Sequence, residues 1–411
     1  MLYNAYQTFS DLMDPLRMAS RATRSALTSR ALASPGFSRL ASTALLRSFS
    51  AACGLMADTR LTHERPPYGF KTVMVGNREV EVVEEAADVT PFGTLLHFKK
   101  EVQTSQPRIL LVAPLSGHFA TLLRGTLATL IPENDVYVTD WHNARDVPLA
   151  DGRFGFDEYV SHVIRFLEKI GPGAHVLAVC QPCVHALAAI ALMAEAGNPA
   201  TPHTMTLMAG PIDTRVNPTK VNELATSRPI EWFERNLIAT VPGRYPGAGR
   251  RVYPGFVQLT AFMSMNMDRH VNAHIDLFAH LVRQELPKAD AVRKFYDEYF
   301  AVLDLTAEFY LETVSNVFQQ HLLAKGELTV DNRRVNPAAI RRTALLTVEG
   351  ERDDICSVGQ TLAAQELCKG IKPMRKRHHH QAGVGHYGVF SGSKWQKQIY
   401  PVVKHFILAN D

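Results

Sequence analysis

The alternation of apolar and polar positions changes character along the chain. Between residues 71 and 101, short β-rich runs are interrupted by glycine, asparagine and proline, which is typical of antiparallel strands. From residue 108, continuous apolar runs alternate with helix-like segments, the pattern of βαβ units with buried parallel strands. The predicted strands are Lys71–Val75, Arg78–Val83, Thr94–Glu101, Arg108–Ala113, Asp135–Trp141, His175–Val179, Met205–Met208, Thr343–Val348 and one near His378–His380, and the predicted helices among them are Ala120–Leu130, Val184–Glu195 and Trp395–Leu408.

Strand signals vanish from Asp213 to about Pro337, where the apolar positions favour helices with aromatic faces. A helical segment between strands of one sheet indicates a cap inserted into an α/β fold. Residues 61–212 and 338–411 are therefore predicted to form the α/β core, and residues 213–337 the helical cap. The predicted cap helices are Trp232–Leu237, Gln258–Leu281, Ala289–Leu303 and Leu305–Leu323.

Residues 1–60 form a distinct, amphipathic N-terminal segment. Apolar side chains follow a helical period from its start, and its charges comprise seven arginines and three aspartates without lysine or glutamate. Such a composition fits a mitochondrial transit peptide, and it equally fits an amphipathic helix that lies on an apolar surface. The second interpretation is favoured by the resemblance described below. The periodic apolar residues are Leu2, Tyr3, Tyr6, Phe9, Leu12, Met13 and Leu16.

The charge and cysteine content of the chain exclude some classes of function. The chain has 44 basic and 40 acidic residues, so the part beyond residue 60 contains 37 of each sign and has no net charge. A neutral body lacks the basic face that nucleic-acid binding requires, and we expect no nucleic-acid partner. No run approaches the roughly 18 apolar residues of a membrane span, so no transmembrane segment is expected. Five cysteines in 411 residues are odd in number and sparse, which indicates a reducing compartment.

One buried strand ends directly at a cysteine. The run HVLAV at 175–179 leads into Cys180, and a predicted helix follows. In a nucleophile elbow, the reactive atom lies on a sharp strand-to-helix turn between small residues two positions away, usually glycines. Ala178 and Pro182 occupy those positions here; alanine is small, and proline suits the first turn of a helix. Cys183 would lie inside that turn, so the pattern favours Cys180 as the nucleophile.

The same residues permit two other interpretations. Cys180 and Cys183 form a Cys-x-x-Cys motif with an internal proline after a strand, as in thioredoxin-like redox proteins. Alternatively, both are small core residues, the commonest role of a free cysteine. An acid and a base further along the chain would favour the nucleophile over these two interpretations, because a redox motif requires neither.

Two later segments supply that acid and base. The strand TALLTV runs into residues 349–354, which places Asp353 just past the carboxyl end of a strand, where doubly wound sheets build their sites. Asp353 is preferred over Asp354 because it follows the strand more closely. His386 lies in a glycine-rich loop before the closing helix. The order nucleophile, acid, base is that of α/β hydrolases, so the predicted fold is an α/β-hydrolase-type, mostly parallel sheet with an inserted helical cap, and the predicted triad is Cys180, Asp353 and His386.

An oxyanion hole is predicted from backbone amides beside the nucleophile. The residue after the nucleophile, Gln181, would supply one amide, and the loop after the strand RILLVA would supply the second through Leu115 or Ser116. An ordinary βα turn is the alternative for that loop. The histidine run 378–380 is interpreted as strand or surface residues, and we expect no metal and no cofactor.

Five motifs resemble one known family over almost the whole chain. The chain resembles the intracellular poly(3-hydroxybutyrate) depolymerases, relatives of the polyhydroxyalkanoate synthases. The resemblance implies an α/β-hydrolase fold with a Cys-His-Asp triad at Cys180, His386 and Asp353. Cys183 departs from the expected pattern and leaves a redox side-role open. The motifs are MLYNAYQ at 1–7, VCQP at 179–182, LMAGPID at 207–213, EGERDDI at 349–355 and GVGHYGVFSG at 383–392.

The resemblance also implies a substrate and a location. The substrate would be the amorphous storage polyester and its oligomers in the bacterial cytoplasm, with the N-terminal segment retained and the enzyme associated with storage granules. A polyester synthase or thioesterase of the same fold, and a thiol-disulfide oxidoreductase using Cys180 and Cys183, remain alternatives; the oligomeric state stays open, a homo-oligomer included. The cap also contains bulky apolar side chains that could line a groove for the polyester, but most of them are expected in the core and none is assigned to binding: Trp232, Phe233, Tyr245, Tyr253, Phe256, Phe262, Met263, Met265 and Met267.

Overall fold

The computed structural model describes residues 2–28, 44–58, 61–102, 105–265 and 267–411. The strands are β1 (Thr72–Val75), β2 (Arg78–Glu81), β3 (Val83–Val89), β4 (Gly93–Lys99), β5 (Arg108–Val112), β6 (Asp135–Trp141), β7 (Ala174–Val179), β8 (Thr204–Met208), β9 (Ala239–Thr240), β10 (Arg251–Tyr253), β11 (Leu305–Thr306), β12 (Thr329–Val330), β13 (Arg333–Arg334), β14 (Ala344–Gly350) and β15 (Lys376–Gln381). The α-helices are α1 (Leu2–Thr28), α2 (Ala44–Asp58), α3 (Arg124–Leu130), α4 (Phe156–Ile170), α5 (Pro182–Glu195), α6 (Lys220–Thr226), α7 (Ile230–Leu237), α8 (Gly255–Met265), α9 (Met267–Val282), α10 (Leu286–Tyr299), α11 (Ala307–Thr313), α12 (Leu322–Lys325), α13 (Ala364–Leu367), α14 (Gly392–Lys394) and α15 (Tyr400–Leu408).

Eight strands form the main sheet, in the order β15-β14-β8-β7-β5-β6-β4-β3. Every neighbouring pair from β15 to β6 is parallel, whereas β4 pairs antiparallel with both β6 and β3. The strand order reverses between β5 and β7, and such a reversal opens a crevice at the carboxyl ends of the two strands. This sheet is an α/β-hydrolase sheet, as the sequence predicts.

Two apolar layers cover the sheet. Helices α4 and α5 pack on one face, where α5 is buried almost all round. The other face is covered by α3 and α15, with the buried indole of Trp395 between them and the sheet. The central strands are buried on both faces, which explains why β5, β7, β8 and β14 are continuous apolar runs rather than alternating ones.

The predicted core elements agree with the structure except for α4, most of the edge strand β3 and the short helices α13 and α14, which the prediction lacks. The predicted elements do not include α4, although its buried residues recur at helical spacing. They also merge the start of β3 into β2, because Glu84 and Glu85 interrupt the apolar pattern on an edge strand that is largely exposed. The histidine run lies in β15, as predicted.

The segment between β8 and β14 is more varied than a purely helical cap. Five strands of two or three residues, β9 to β13, occur where the sequence shows no strand signal. A strand of two or three residues is too short to produce a periodic pattern, and it forms only because its partner lies beside it. The predicted helix Leu305–Leu323 is likewise divided into β11, α11 and a π-helical turn at Val314–Gln319. The division of the chain into 1–60, core and cap remains a prediction.

The N-terminal segment contains the two helices α1 and α2, which contact one another. The first turn of α1 packs on the body: Tyr3 is buried and its hydroxyl donates to Asp304 at 2.8 Å, and Tyr6 stacks on Phe256 at 4.1 Å between ring centroids. Further along α1, Leu12 and Leu16 are exposed. None of the described helices has the length and apolar character that crossing a membrane would demand.

Candidate functional site

Cys180 lies at the strand-to-helix turn between β7 and α5. Its backbone is left-handed, with φ of 65°, a conformation that costs energy for a residue other than glycine. Such strain is the signature of a nucleophile elbow, in which a sharp turn presents one side chain above the sheet. Pro182 is the first residue of α5, so the helix begins two residues earlier than predicted. The Cys180 side chain is only partly buried, whereas Cys183 is buried.

Close packing beneath the elbow depends on Gly210. A Cβ atom built on Gly210 would lie 2.2 Å from Cβ of Cys183, which no pair of carbon atoms tolerates. Sequence reasoning sought the small residues at 178 and 182, yet the essential glycine comes from the end of the neighbouring strand. The glycine in LMAGPID is the signal that could have found it.

Cys183 points away from the reactive turn. Its Sγ lies 3.3 Å from the carbonyl oxygen of Ala178 and 3.6 Å from that of Met208, and burial raises the pKa of its thiol well above the ordinary value. All five cysteines are free thiols. Because thiol-disulfide exchange needs a thiolate, this environment disfavours Cys183 as an exchanging partner of Cys180.

His386 and Asp353 form a buried pair beside the elbow. The Nδ1–H of His386 donates to Oδ2 of Asp353 at 2.8 Å, and Oδ1 of Asp353 accepts the amides of Ile355 and Cys356 at 2.9 and 2.8 Å. These contacts fix the imidazole so that Nε2 is directed to Cys180. The structure thus brings together the three side chains predicted as a triad, and it leaves Asp354 exposed.

The electrostatics of the pair favour a charged imidazole. Burial opposes protonation of His386, but the charges of Asp353 and Cys180 and the hydrogen bonds to both outweigh it and raise the pKa of His386 well above its usual value. A proton that leaves the thiol is therefore retained by the imidazole, and the resulting thiolate and imidazolium stabilise each other.

Glu349, which the sequence analysis did not single out, orders the loop that bears Asp353. Its buried carboxylate accepts the amides of Gly359, Thr361 and Leu362 at 2.8 to 3.0 Å. A buried carboxylate needs such donors to replace water. An acid that ends an otherwise apolar strand is the signal that could have revealed this role.

The predicted oxyanion loop lies across the switch point from the elbow. It follows β5, and Leu115 and Ser116 line the same cavity as Cys180. Among the described residues, none accepts a hydrogen bond from the backbone amides of Leu115, Ser116 or Gln181. Gly117 has φ of 90°, and a Cβ there would lie 2.8 Å from Cγ of Gln258, so glycine allows the loop to pass close to α8.

A cavity of about 250 Å³ contains the candidate site. Cys180, Gln181 and His386 are among its lining residues, and the remaining lining is dominated by apolar and aromatic side chains. Of the bulky residues highlighted in the predicted cap, Phe233, Tyr253 and Phe262 line this cavity. Further aromatic members of the lining are Phe309, Tyr310, Phe318, Tyr387 and Phe390.

A larger cavity, of about 660 Å³, lies elsewhere, between α1, α8 and α9. Met263 and Met267 line it, but no residue of the candidate triad does. We place the site in the smaller cavity because the reactive groups are there. Trp232 is partly exposed, Tyr245 and Phe256 pack against Tyr3, and the side chain of Met265 lies outside the described residues.

Within the described ranges, one cluster has donors that could hold a metal ion: His175, His203 and Asp411. His175 lies near the start of β7, whereas Cys180 directly follows the end of the same strand. This cluster is therefore separate from the candidate catalytic groups.

The chain is similar to one known protein family and to several solved structures. Residues 209–411 match the family described as PHB de-polymerase C-terminus. No curated protein matches the chain significantly. Among solved structures, the chain is similar to a putative lipase from Acinetobacter baumannii AYE, with 14% identity over 81% of this chain and 93% of the other and a TM-score of 0.44. It is also similar to the 2-hydroxy-6-oxo-6-phenylhexa-2,4-dienoate hydrolase of a Rhodococcus strain, with 13% identity over 80% of this chain and 99% of the other and a TM-score of 0.42.

The sheet order, the strained elbow and the acid–base pair are those of the α/β-hydrolase fold. Within that fold, the match over residues 209–411 shows that the C-terminal half of the chain is similar to the PHB depolymerases.

Proposed function

We propose that the chain is an intracellular poly(3-hydroxybutyrate) depolymerase, which hydrolyses the ester bonds of the amorphous storage polyester through Cys180, His386 and Asp353. The observation that carries the proposal is the strained Cys180 beside the buried His386–Asp353 pair, with Cys180 and His386 in the lining of an apolar cavity. The family match supports the choice of polyester.

In the first half of the reaction, Sγ of Cys180 attacks the ester carbonyl carbon while His386 takes the thiol proton. The amide of Gln181, with that of Leu115 or Ser116, stabilises the negative charge on the carbonyl oxygen. His386 then gives its proton to the departing alcohol oxygen, which leaves a thioester on Cys180. Asp353 keeps the imidazole in the required tautomer throughout.

In the second half, water attacks the thioester carbonyl and His386 accepts a proton from it. The carbon–sulfur bond breaks, and the proton returns to Sγ of Cys180. The products are a carboxylic acid and the free enzyme, so the cycle needs no metal or cofactor.

The proposed setting is the bacterial cytoplasm, at the surface of polyester granules. Leu12 and Leu16 of α1 support this location because they are exposed one helical turn apart beside arginines 17 and 21. A helix that presents leucines to solvent is suited to an apolar surface.

A synthase or thioesterase of the same fold could use the same triad, because these enzymes differ in the group that accepts the acyl unit. The test measures the 3-hydroxybutyrate that purified protein releases from amorphous granules, with hydroxybutyryl-CoA polymerisation and insulin-disulfide reduction in parallel. We expect release from granules and neither of the other activities. Cys180→Ala should abolish release, and Cys183→Ala should retain most of it. The proposal would be rejected if the parent protein polymerised hydroxybutyryl-CoA without releasing 3-hydroxybutyrate from granules. It would also be rejected if the parent reduced insulin disulfides and both variants lost that activity.

A further inference from the structure

Gln181 contributes more than its backbone to the candidate site. Its side chain is 8% exposed, and both Oε1 and Nε2 lack a hydrogen-bond partner among the described residues. Buried amide groups are nearly always paired, so an orphaned amide in a functional cavity needs an explanation. Because Gln181 follows Cys180 directly and lines the cavity, a bound ligand could satisfy it.

A second unpaired polar group lines the same cavity. Thr313, the last residue of α11, is 6% exposed, and its Oγ1 has no partner within the described chain. A helical threonine can bond its hydroxyl to a carbonyl one turn earlier, which this one does not do. Its surroundings in the cavity include the apolar side chains of Val314, Phe309 and Phe318. The cavity therefore combines an apolar wall with two unpaired donors.

The chemistry of these donors selects among ester substrates. A poly(hydroxyalkanoate) has a carbonyl oxygen in each repeat unit, so it offers hydrogen-bond acceptors at regular intervals between apolar methyl groups. A fatty acyl chain of equal length offers none beyond the scissile ester. A site with buried donors discriminates strongly against a ligand that leaves those donors unpaired.

We propose that Nε2 of Gln181 and Oγ1 of Thr313 both donate hydrogen bonds to the first internal ester carbonyl oxygen on the acyl side of the scissile bond. The two side chains are therefore specificity-determining residues that select an oligoester over an aliphatic acyl chain. This inference rests on the proposed function, since it concerns the acyl-binding part of the same site.

The experiment compares two substrates with one leaving group. The first is the 4-nitrophenyl ester of the 3-hydroxybutyrate dimer, which has one internal ester carbonyl on the acyl side; the second is 4-nitrophenyl octanoate, which has none. The measured quantity is the ratio of kcat/KM for the dimer to kcat/KM for the octanoate. Gln181→Met and Thr313→Val keep the side-chain volumes nearly unchanged and remove the donors, so each tests one hydrogen bond.

We expect the ratio to fall about tenfold in Gln181→Met and severalfold in Thr313→Val, because the variants lose a partner for the dimer and gain apolar contact with the octanoate. Thr313→Ser restores the hydroxyl and should restore most of the ratio. Thr226→Val, at a threonine of α6 outside the cavity lining, should leave the ratio at the parent value.

Three results would contradict either the inference or the proposed function. If the parent hydrolyses the dimer ester but both variants keep its ratio, the proposed function stands and the inference is overturned. An equal fall in kcat/KM for both substrates would also overturn the inference, because it would show a structural role. A parent inactive on the dimer ester and on granules would reject the proposed function itself.

Discussion

At the scale of single residues, three buried carboxylates differ in what surrounds them. Asp353 accepts two backbone amides and the imidazole of His386, and Glu349 accepts three amides. Asp304 has fewer strong donors: the hydroxyl of Tyr3 at 2.8 Å and the amide of Gly255 at 2.9 Å. Burial raises the pKa of Asp304 to about 6, so this carboxyl group binds a proton in mildly acidic solution.

The raised pKa of Asp304 predicts a pH-dependent stability. In the unfolded chain its pKa is about 3.9, so the folded protein holds the proton more tightly between pH 4 and 6. The free energy of unfolding therefore falls as pH rises through that window, by up to about 3 kcal/mol from this group. Asp304→Asn should remove this contribution, so the free energy of unfolding, measured by urea denaturation, should differ less between pH 4 and pH 7 than it does in the parent.

Asp151→Asn provides the control, since Asp151 is exposed. Its free energy of unfolding should change between the two pH values as that of the parent does. If the pH dependence of Asp304→Asn also equalled that of the parent, the carboxyl group would not be the source of the effect.

The sequence predicts the members of the proposed triad better than the residues that support them. Cys180, Asp353 and His386 were predictable because each follows a strand end, and strand ends of a parallel sheet converge. Gly210 and the orphaned amide of Gln181 were not, because their roles depend on which atoms face them across the fold. Periodicity carries no information about such contacts.

At the scale of elements, α1 has two regions of different character. Its first turn is fixed to the body by Tyr3 and Tyr6. Deletion of the whole segment would therefore remove these contacts together with any granule-binding surface. The exposed part, with Leu12 71% and Leu16 51% exposed, can be altered without touching those contacts. Substitution is therefore a sharper test than truncation.

Leu12→Gln combined with Leu16→Gln should lower the fraction of protein that sediments with amorphous granules several-fold, because two leucines leave the apolar surface. The free energy of unfolding should change by less than about 0.5 kcal/mol, since both sites are exposed. The control pair is Leu149→Gln with Leu408→Gln, two leucines exposed elsewhere on the molecule. Equal sedimentation of the two double variants would exclude this face as the docking surface.

Element prediction succeeded where burial imposed a pattern on the sequence. The central strands β5, β7, β8 and β14 were predictable because both of their faces are apolar. The edge strand β3 was not, because glutamates face solvent along it. The strands β9 to β13 are too short to impose a pattern on the sequence: β10 pairs with the distant β11, and β12 and β13 form a hairpin of two-residue strands.

At the scale of the whole molecule, the site is assembled at the switch point of the sheet. The elbow follows β7, the oxyanion loop follows β5, and the acid–base pair comes from loops after β14 and β15. The segment between β8 and β14 then encloses Cys180 in an apolar cavity. Low dielectric in such a cavity strengthens the thiolate–imidazolium attraction on which the proposed chemistry depends.

The most direct test of Cys180 as the nucleophile is the mass of the acylated enzyme. Protein mixed briefly with 4-nitrophenyl 3-hydroxybutyrate, quenched in acid and digested, should show one 3-hydroxybutyryl group on the peptide that contains Cys180, and fragmentation should place it on that cysteine. The adduct should be absent from Cys180→Ala and present in Cys183→Ala. An adduct on Cys183, or one that survives in Cys180→Ala, would contradict the assignment of the nucleophile.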